Sequence, residues 1–300
     1  MLYTHMFYQP DLLAKFMPAY ASGRLITILR APLDVLKSAQ KMALVQRNSQ
    51  KERHLNNSFC QPLAHNTELW LARCPMANAG DGSILEYLDI RAHFKLKAML
   101  QEARRVSSVN GDNGIAAPLA QKVVAEVLSR PLHRLEHAFV VGMQADFDLS
   151  LLLFQEALGL GREDILYSKT SMVSHDLHKS KWAQMVDDDW NGALRRKQIS
   201  DFLERRGSPI RYHNMLFEKG LEVYNRQVKL YLGDGKQVAS ALAAFKAQLT
   251  SFTTCYERQR SQTRFRTCSS EGLALANRAR FACTKDIRSV ERRATRIEQQ

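Results

Sequence analysis

With 300 residues, 45% hydrophobic and 24% charged, the chain is long enough for one large α/β domain or two small ones. No apolar run approaches the about eighteen residues of a membrane-spanning helix, and no basic-then-apolar leader opens the sequence. The formal charge of +13 calls for anionic partners, which leaves a nucleotide cofactor, a sulfated or carboxylated glycan, nucleic acid and an acidic membrane surface as candidates.

Residues 1 to 24 open with Leu2-Tyr3-Thr4-His5, which reads as the end of a buried strand, followed by a helix from about Asp11 to Met17. Leu25 to Leu29 is a continuous apolar run with two isoleucines and a threonine, so it is expected to be a strand buried on both faces. Arg30 stands at its carboxyl end, the edge of an open α/β sheet where ligands bind. Pro32 suits a first helical position and Asp34 its acidic first turn, so a helix is predicted to run to about Gln46. Leu33, Leu36, Ala39 and Ala43 share one face of it, and at about 100° per residue Ser38 lies roughly opposite. Its hydroxyl is then free to face the same crevice as Arg30.

Residues 47 to 80 are polar and without steady period, apart from a short segment at Glu68 to Ala72, and are read as a long excursion that could carry acceptor contacts. A helical pattern returns from about Gly82 to Val106, and Ser107 to Gly114 is expected to break it. Pro118 to Leu128 reads as a further helix and Phe139 to Gly142 as a second strand. Asp146 or Asp148 then caps a nearly all-apolar, buried helix that stops at Gly159. From Ser208-Pro209 an amphipathic helix runs to Gly233, with Val238 to Tyr256 as its antiparallel partner. From Tyr256 to Gln300 there are eleven Lys plus Arg against five Asp plus Glu, a solvated basic helix on the plainest reading. The cysteines (Cys60, Cys74, Cys255, Cys268, Cys283) include no CxxC pair and no His-Cys cluster at zinc spacing, so no metal is expected. Their odd number forbids full pairing; Cys60 with Cys74, or Cys268 with Cys283, are open alternatives to free thiols. Asn56-Asn57-Ser58 is a glycosylation sequon, usable only in the secretory pathway.

The arrangement Arg30-x-Pro32-x-x-x-x-x-Ser38 after a buried strand resembles the 3′-phosphate-binding motif of sulfotransferases that use 3′-phosphoadenylyl sulfate (PAPS). The nearest likeness is to the Golgi carbohydrate sulfotransferases of the galactosylceramide and galactose-3-O type, related to the heparan sulfate 2-O-sulfotransferases. Tyr3-Thr4-His5-Met6-Phe7-Tyr8 with Phe16-Met17-Pro18 looks like that family's "HHMRF…MP" segment. In the same order, Phe139 to Met143, Asp146 to Leu152 and Glu163 to Tyr167 resemble its late strand, its "FDESL" helix and its "EDVLY" turn. The likeness spans residues 1 to about 250, thinly between 50 and 130.

That resemblance implies a P-loop NTPase-like parallel sheet flanked by helices, with a helical C-terminal half; residues 1–255 would form this α/β domain and 256–300 a basic helical or partly disordered tail. It implies PAPS as co-substrate without a metal, a galactose-containing glycolipid or glycan as acceptor, and a lumenal place at the Golgi membrane through an anchor not present in this sequence. No specific nucleic acid is expected. Arg30 and Ser38 map onto the residues that hold the cofactor's 3′-phosphate, a role that suits a forked guanidinium and a hydroxyl. His5 maps onto the general base, and imidazole titrates near neutrality as that task requires. The family's 5′-phosphosulfate loop, with its lysine or arginine, lies upstream of the histidine segment and has no counterpart here. Lys169-Thr170-Ser171 comes after the 3′-phosphate motif, and Gly233 to Lys236 reads as a turn between helices rather than a phosphate loop. Ala145 and Ala31 stand where the family has acids. Bound nucleotide without efficient sulfuryl transfer is therefore the expectation for these residues alone. The alternative is a non-catalytic basic protein that binds nucleic acid or anionic glycans through its tail.

Overall fold

The computed structural model describes residues 25–45, 63–74, 84–110, 117–167, 181–205, 208–263 and 282–283. Among them the chain is mostly helical, with one small parallel sheet, and it divides into two compact units. The first holds residues up to Ala145 together with Asp176–Arg226, and the second holds Asp146–His175 and Gln227 onward.

In the first unit, β1 (Ile26–Leu29) pairs in parallel with β2 (Val140–Met143), Ile26 opposite Val140 and Leu29 opposite Met143. The carbonyls of Leu25 and Leu29 accept bonds from the amides of Phe139 and Gln144, at 2.9 and 2.8 Å, so the carboxyl ends of both strands reach one edge. All of β2 is buried. The expectation that Leu25 to Leu29 is covered on both faces is not met: Leu25 and Leu29 are buried, but Ile26 is 42% and Ile28 39% exposed. An apolar run shows that a strand wants cover; it cannot show that a neighbour supplies it on each side.

Helix α1 (Pro32–Val45) follows β1 directly, opened by the Ala31 carbonyl, which accepts from the Asp34 and Val35 amides. Next come α2 (Thr67–Arg73), capped by the Asn66 side chain on the Leu69 amide, then α3 (Ile84–Leu88) and α4 (Ile90–Asn110). The pattern expected to be continuous from Gly82 is interrupted at Asp89, whose carboxylate accepts the Ala92 amide and meets Arg134 at 3.1 Å. In turn α4 runs on through Ser107 to Asn110, past the expected break. Ser, Val and Asn are tolerated at a helix end, and Gly111 comes only afterwards. Helix α5 (Ala117–Val123) passes through a π-helical turn at Val124–Leu128 into α6 (Ser129–Glu136), which leads into β2.

A buried core gathers Leu36 of α1, Trp70 and Leu71 of α2, Val186 and Trp190 of α9 (Lys181–Trp190), and Ile199 and Leu203 of α10 (Ala193–Arg205). Inside it, Gln40 is 1% exposed and makes four hydrogen-bond contacts with three groups: its Nε2 donates to the Ala64 carbonyl and the Thr67 hydroxyl, while its Oε1 accepts from the Thr67 hydroxyl and, at 2.7 Å, from the Trp190 indole. Helix α11 (Ile210–Leu232) begins in this unit, and its Gly220 faces the sheet; a Cβ there would overlap Leu29 and meet Met143 at 3.8 Å, so the missing side chain sets how closely helix and strands approach. On the same helix Lys219 and Arg226 both pair with Glu136 at the end of α6.

In the second unit α7 (Phe147–Leu158) ends at Gly159 with φ 65°, as expected of a glycine C′ residue. Short α8 (Arg162–Ile165) and the long α12 (Gly235–Thr263) both pack on it. Within that unit α12 packs chiefly on α7. The core contains Leu152, Ile165, Phe245, Leu249 and Phe252. A disulfide joins Cys255 to Cys283, which is neither of the pairings that short loops suggested. Cys74 is disulfide-bonded as well.

Two stability tests follow from this unit-by-unit packing. Gln40→Leu keeps the volume but leaves the buried Trp190 indole N–H without an acceptor, so urea unfolding should show a loss of roughly 2 kcal/mol. The same change at exposed Gln121 should stay within about 0.5 kcal/mol; equal effects at the two positions would mean that the Gln40 knot stabilises nothing. The second test is acid. Hydrogen bonds from Lys219 and Arg226 bring the Glu136 carboxyl down from the usual carboxylate range to about 2. Because the folded value lies below the unfolded one, this pairing stabilises above about pH 4.5 and its contribution fades as pH falls toward 2. The gap in melting temperature between the wild type and Glu136→Gln should close over that window, and a gap independent of pH would refute the assignment.

Candidate functional site

The carboxyl edge of the β1–β2 pair carries Arg30. Its side chain is half-buried, and burial holds its guanidinium below the ordinary arginine range while nearby Asp34 pulls the other way. It forms no hydrogen bond or ion pair among the described residues. A charged, partly desolvated guanidinium with no bonded anion among the described residues is suited to an external one.

Helix α1 organises the rest of the edge. Leu33, Leu36, Ala39 and Gln40 turn toward the core. Asp34, Lys37, Ser38 and Lys41, which follow one another at three- and four-residue spacing, occupy the other side. Ser38, which the spacing puts roughly opposite the apolar stripe, is half-buried. Lys37 and Lys41 both reach Asp187 of α9, at 2.7 and 2.6 Å. Partial burial raises the Asp187 carboxyl, the two lysines lower it, and the lowering prevails. Asp34 receives Nη2 of Arg196 from α10 at 2.6 Å. The polar side of α1 is thereby framed by two helices that arrive some 150 residues later in sequence.

Arg30 and Ser38 thus occupy the edge of the strand pair and the polar side of the helix that follows it. His5 lies outside the described residues, as does Lys169-Thr170-Ser171. Gly233 to Lys236 is a helix cap: Gly233 has φ 87°, Asp234 Oδ1 accepts the Lys236 and Gln237 amides, and Gln237 Oε1 accepts the Asp234 amide. These amides are engaged within the turn, consistent with its reading as no phosphate loop. Ala145 is exposed just beyond β2, and Ala31 immediately precedes α1, its carbonyl accepting the first helical amides.

In the second unit, the two segments that resemble "FDESL" and "EDVLY" pack on each other. The Tyr167 hydroxyl donates to Asp148 Oδ1 at 2.6 Å, and the Phe147 and Tyr167 rings meet edge to face at 5.2 Å. Burial and the Asp148 carboxylate together push the Tyr167 hydroxyl far above its ordinary range, so it remains a proton donor at any working pH.

Sequence reading passed over Lys37, Lys41, Asp187 and Arg196. The Lys37–Lys41 spacing straddling Ser38 was a usable signal on its own, since an i, i+4 pair lies on one helix face. No local pattern indicates their partners. Among the described residues no cluster of three or more metal-ligating side chains occurs, and no helix is long and apolar enough to cross a membrane. Comparison with protein-family models, with curated proteins and with solved structures gives no match to this chain.

Proposed function

We propose that the first unit binds the adenosine 3′,5′-bisphosphate part of PAPS, and that the protein is a carbohydrate sulfotransferase-like chain acting on a hydroxyl of a galactose-containing glycolipid or glycan. The observation that carries the reading is Arg30: a half-buried guanidinium without a bonded anion among the described residues, at the carboxyl edge of a parallel strand pair, followed by a proline-started helix that carries Ser38. Ligands of open α/β sheets collect at this edge. A forked guanidinium with an added hydroxyl is the donor set that a phosphate monoester accepts. The finer fold assignment, a P-loop NTPase-like sheet, belongs to the same proposal.

The disulfide between Cys255 and Cys283 supports an oxidising compartment, in keeping with a lumenal enzyme. Within the proposal His5 takes the proton of the acceptor hydroxyl, while Arg30 and Ser38 tether the nucleotide and no metal takes part. The bridging oxygen that leaves with the bisphosphate needs a cation, which the described residues of this edge do not assign. Tethering without that charge gives binding and slow transfer.

Arg30→Ala should abolish binding of adenosine 3′,5′-bisphosphate in calorimetry while leaving the melting temperature close to wild type. If the unaltered protein shows no such binding, the proposal falls, and the basic-protein alternative gains. Where sulfate transfer to a galactoside is measurable, His5→Ala should lower turnover by about 10² to 10⁴ with cofactor affinity nearly unchanged. An equal loss of affinity and rate would make His5 a binding or structural residue instead.

A further inference from the structure

Arg30 and Asp34 together carry no net charge, yet a phosphate monoester near neutral pH carries about two negative charges. The cations that offset it must come from elsewhere on the same face. The polar side of α1 and the helices framing it supply Arg30, Lys37, Lys41 and Arg196 against Asp34 and Asp187, four cations to two carboxylates. Three of these six groups are committed to one another, since Lys37 and Lys41 grip the same Asp187. Arg196 differs. It binds Asp34 through Nη2 alone, its side chain is 40% exposed, and the remaining N–H groups of its fork have no partner among the described residues.

Asp34 lies one helical turn before Ser38, so their Cβ atoms are about 6 Å apart on the same face. The bond to Asp34 therefore brings the Arg196 guanidinium to the side of α1 on which Ser38 follows one turn later. From these positions we infer that Arg196 is a second phosphate-binding guanidinium, oriented by Asp34, which acts with Arg30 and Ser38 on the terminal phosphate monoester of the nucleotide. The inference rests on the nucleotide-binding reading given above and adds to it a residue from α10. In this arrangement Asp34 does not compete with the ligand; it keeps the long arginine side chain extended toward it, lowering the cost of ordering that side chain on binding. A lysine at this position would keep the charge and lose the fork.

The test compares two probes, adenosine 3′,5′-bisphosphate and adenosine 5′-monophosphate, on the full chain by calorimetry. Arg196→Ala should weaken the bisphosphate about tenfold to a hundredfold, the usual effect of removing a charge-assisted bond, and leave the monophosphate within about twofold. Arg196→Lys should recover only part of the loss. Arg226→Ala, which removes a cation of the same unit on α11, should leave both affinities as they were. A wild type that binds neither nucleotide defeats the parent reading, and this inference with it. A wild type that prefers the bisphosphate, combined with an Arg196→Ala variant that loses nothing or loses both probes equally, overturns the role of Arg196 alone. Circular dichroism melts within a few degrees of wild type exclude unfolding as the cause of a selective loss.

Discussion

Two short parallel strands cannot stand alone in water, and this constraint shapes the first unit. Four residues of β1 against four of β2 bury too little surface to offset their own ordering. Among the described residues, their support comes from helices packed on them. Gly220 is where that requirement is most visible, because α11 comes close enough to Leu29 and Met143 that no side chain fits at the contact. The site edge inherits its rigidity from the same packing: Arg30 follows Leu29 directly, and Leu29 is held between β2 and α11.

Helix α1 then converts one amphipathic period into three kinds of contact. Its apolar stripe enters the core, and Gln40 goes with it, its side chain bonded to Ala64, Thr67 and Trp190. Its polar side meets Asp187 and Arg196. Each of these ion pairs is partly exposed and contributes little stability alone. Their effect is geometric: they fix which cations are already answered by carboxylates and which are open. Arg30 has no bonded carboxylate among the described residues, and its partial burial makes that more costly than on open surface.

Local chemistry made much of this readable beforehand. The start of α1 at Pro32, the second strand near Phe139 and the stop of α7 at Gly159 each depend on a residue type acting within a turn or two. Failures came where distant parts of the chain decide. The exposure of Ile26 and Ile28 depends on whether other elements cover them, which an apolar run cannot report. The pairing of Cys255 with Cys283 spans 28 residues and follows from α12 packing in its own unit, not from loop length. Asp187 and Arg196 reach α1 across 146 and 162 residues, and a run of three aspartates or two arginines in sequence points to no particular partner.

On the proposed reading, the parts of the site differ in what they can contribute to catalysis. A residue that grips the 3′-phosphate does so equally before and during sulfuryl transfer, since that phosphate takes no part in bond breaking. Such uniform binding lowers the concentration of cofactor needed without by itself lowering the barrier between bound substrate and transition state. Rate has to come from groups at the reacting centre: a base on the acceptor hydroxyl and a cation on the leaving oxygen. On that reading the Arg30–Ser38 edge would be a nucleotide anchor first, and it would serve a sulfotransferase and a non-catalytic nucleotide-binding protein equally well. What separates the two is the chemistry brought to that anchor, which is why affinity for the bisphosphate and rate of transfer have to be measured as independent quantities.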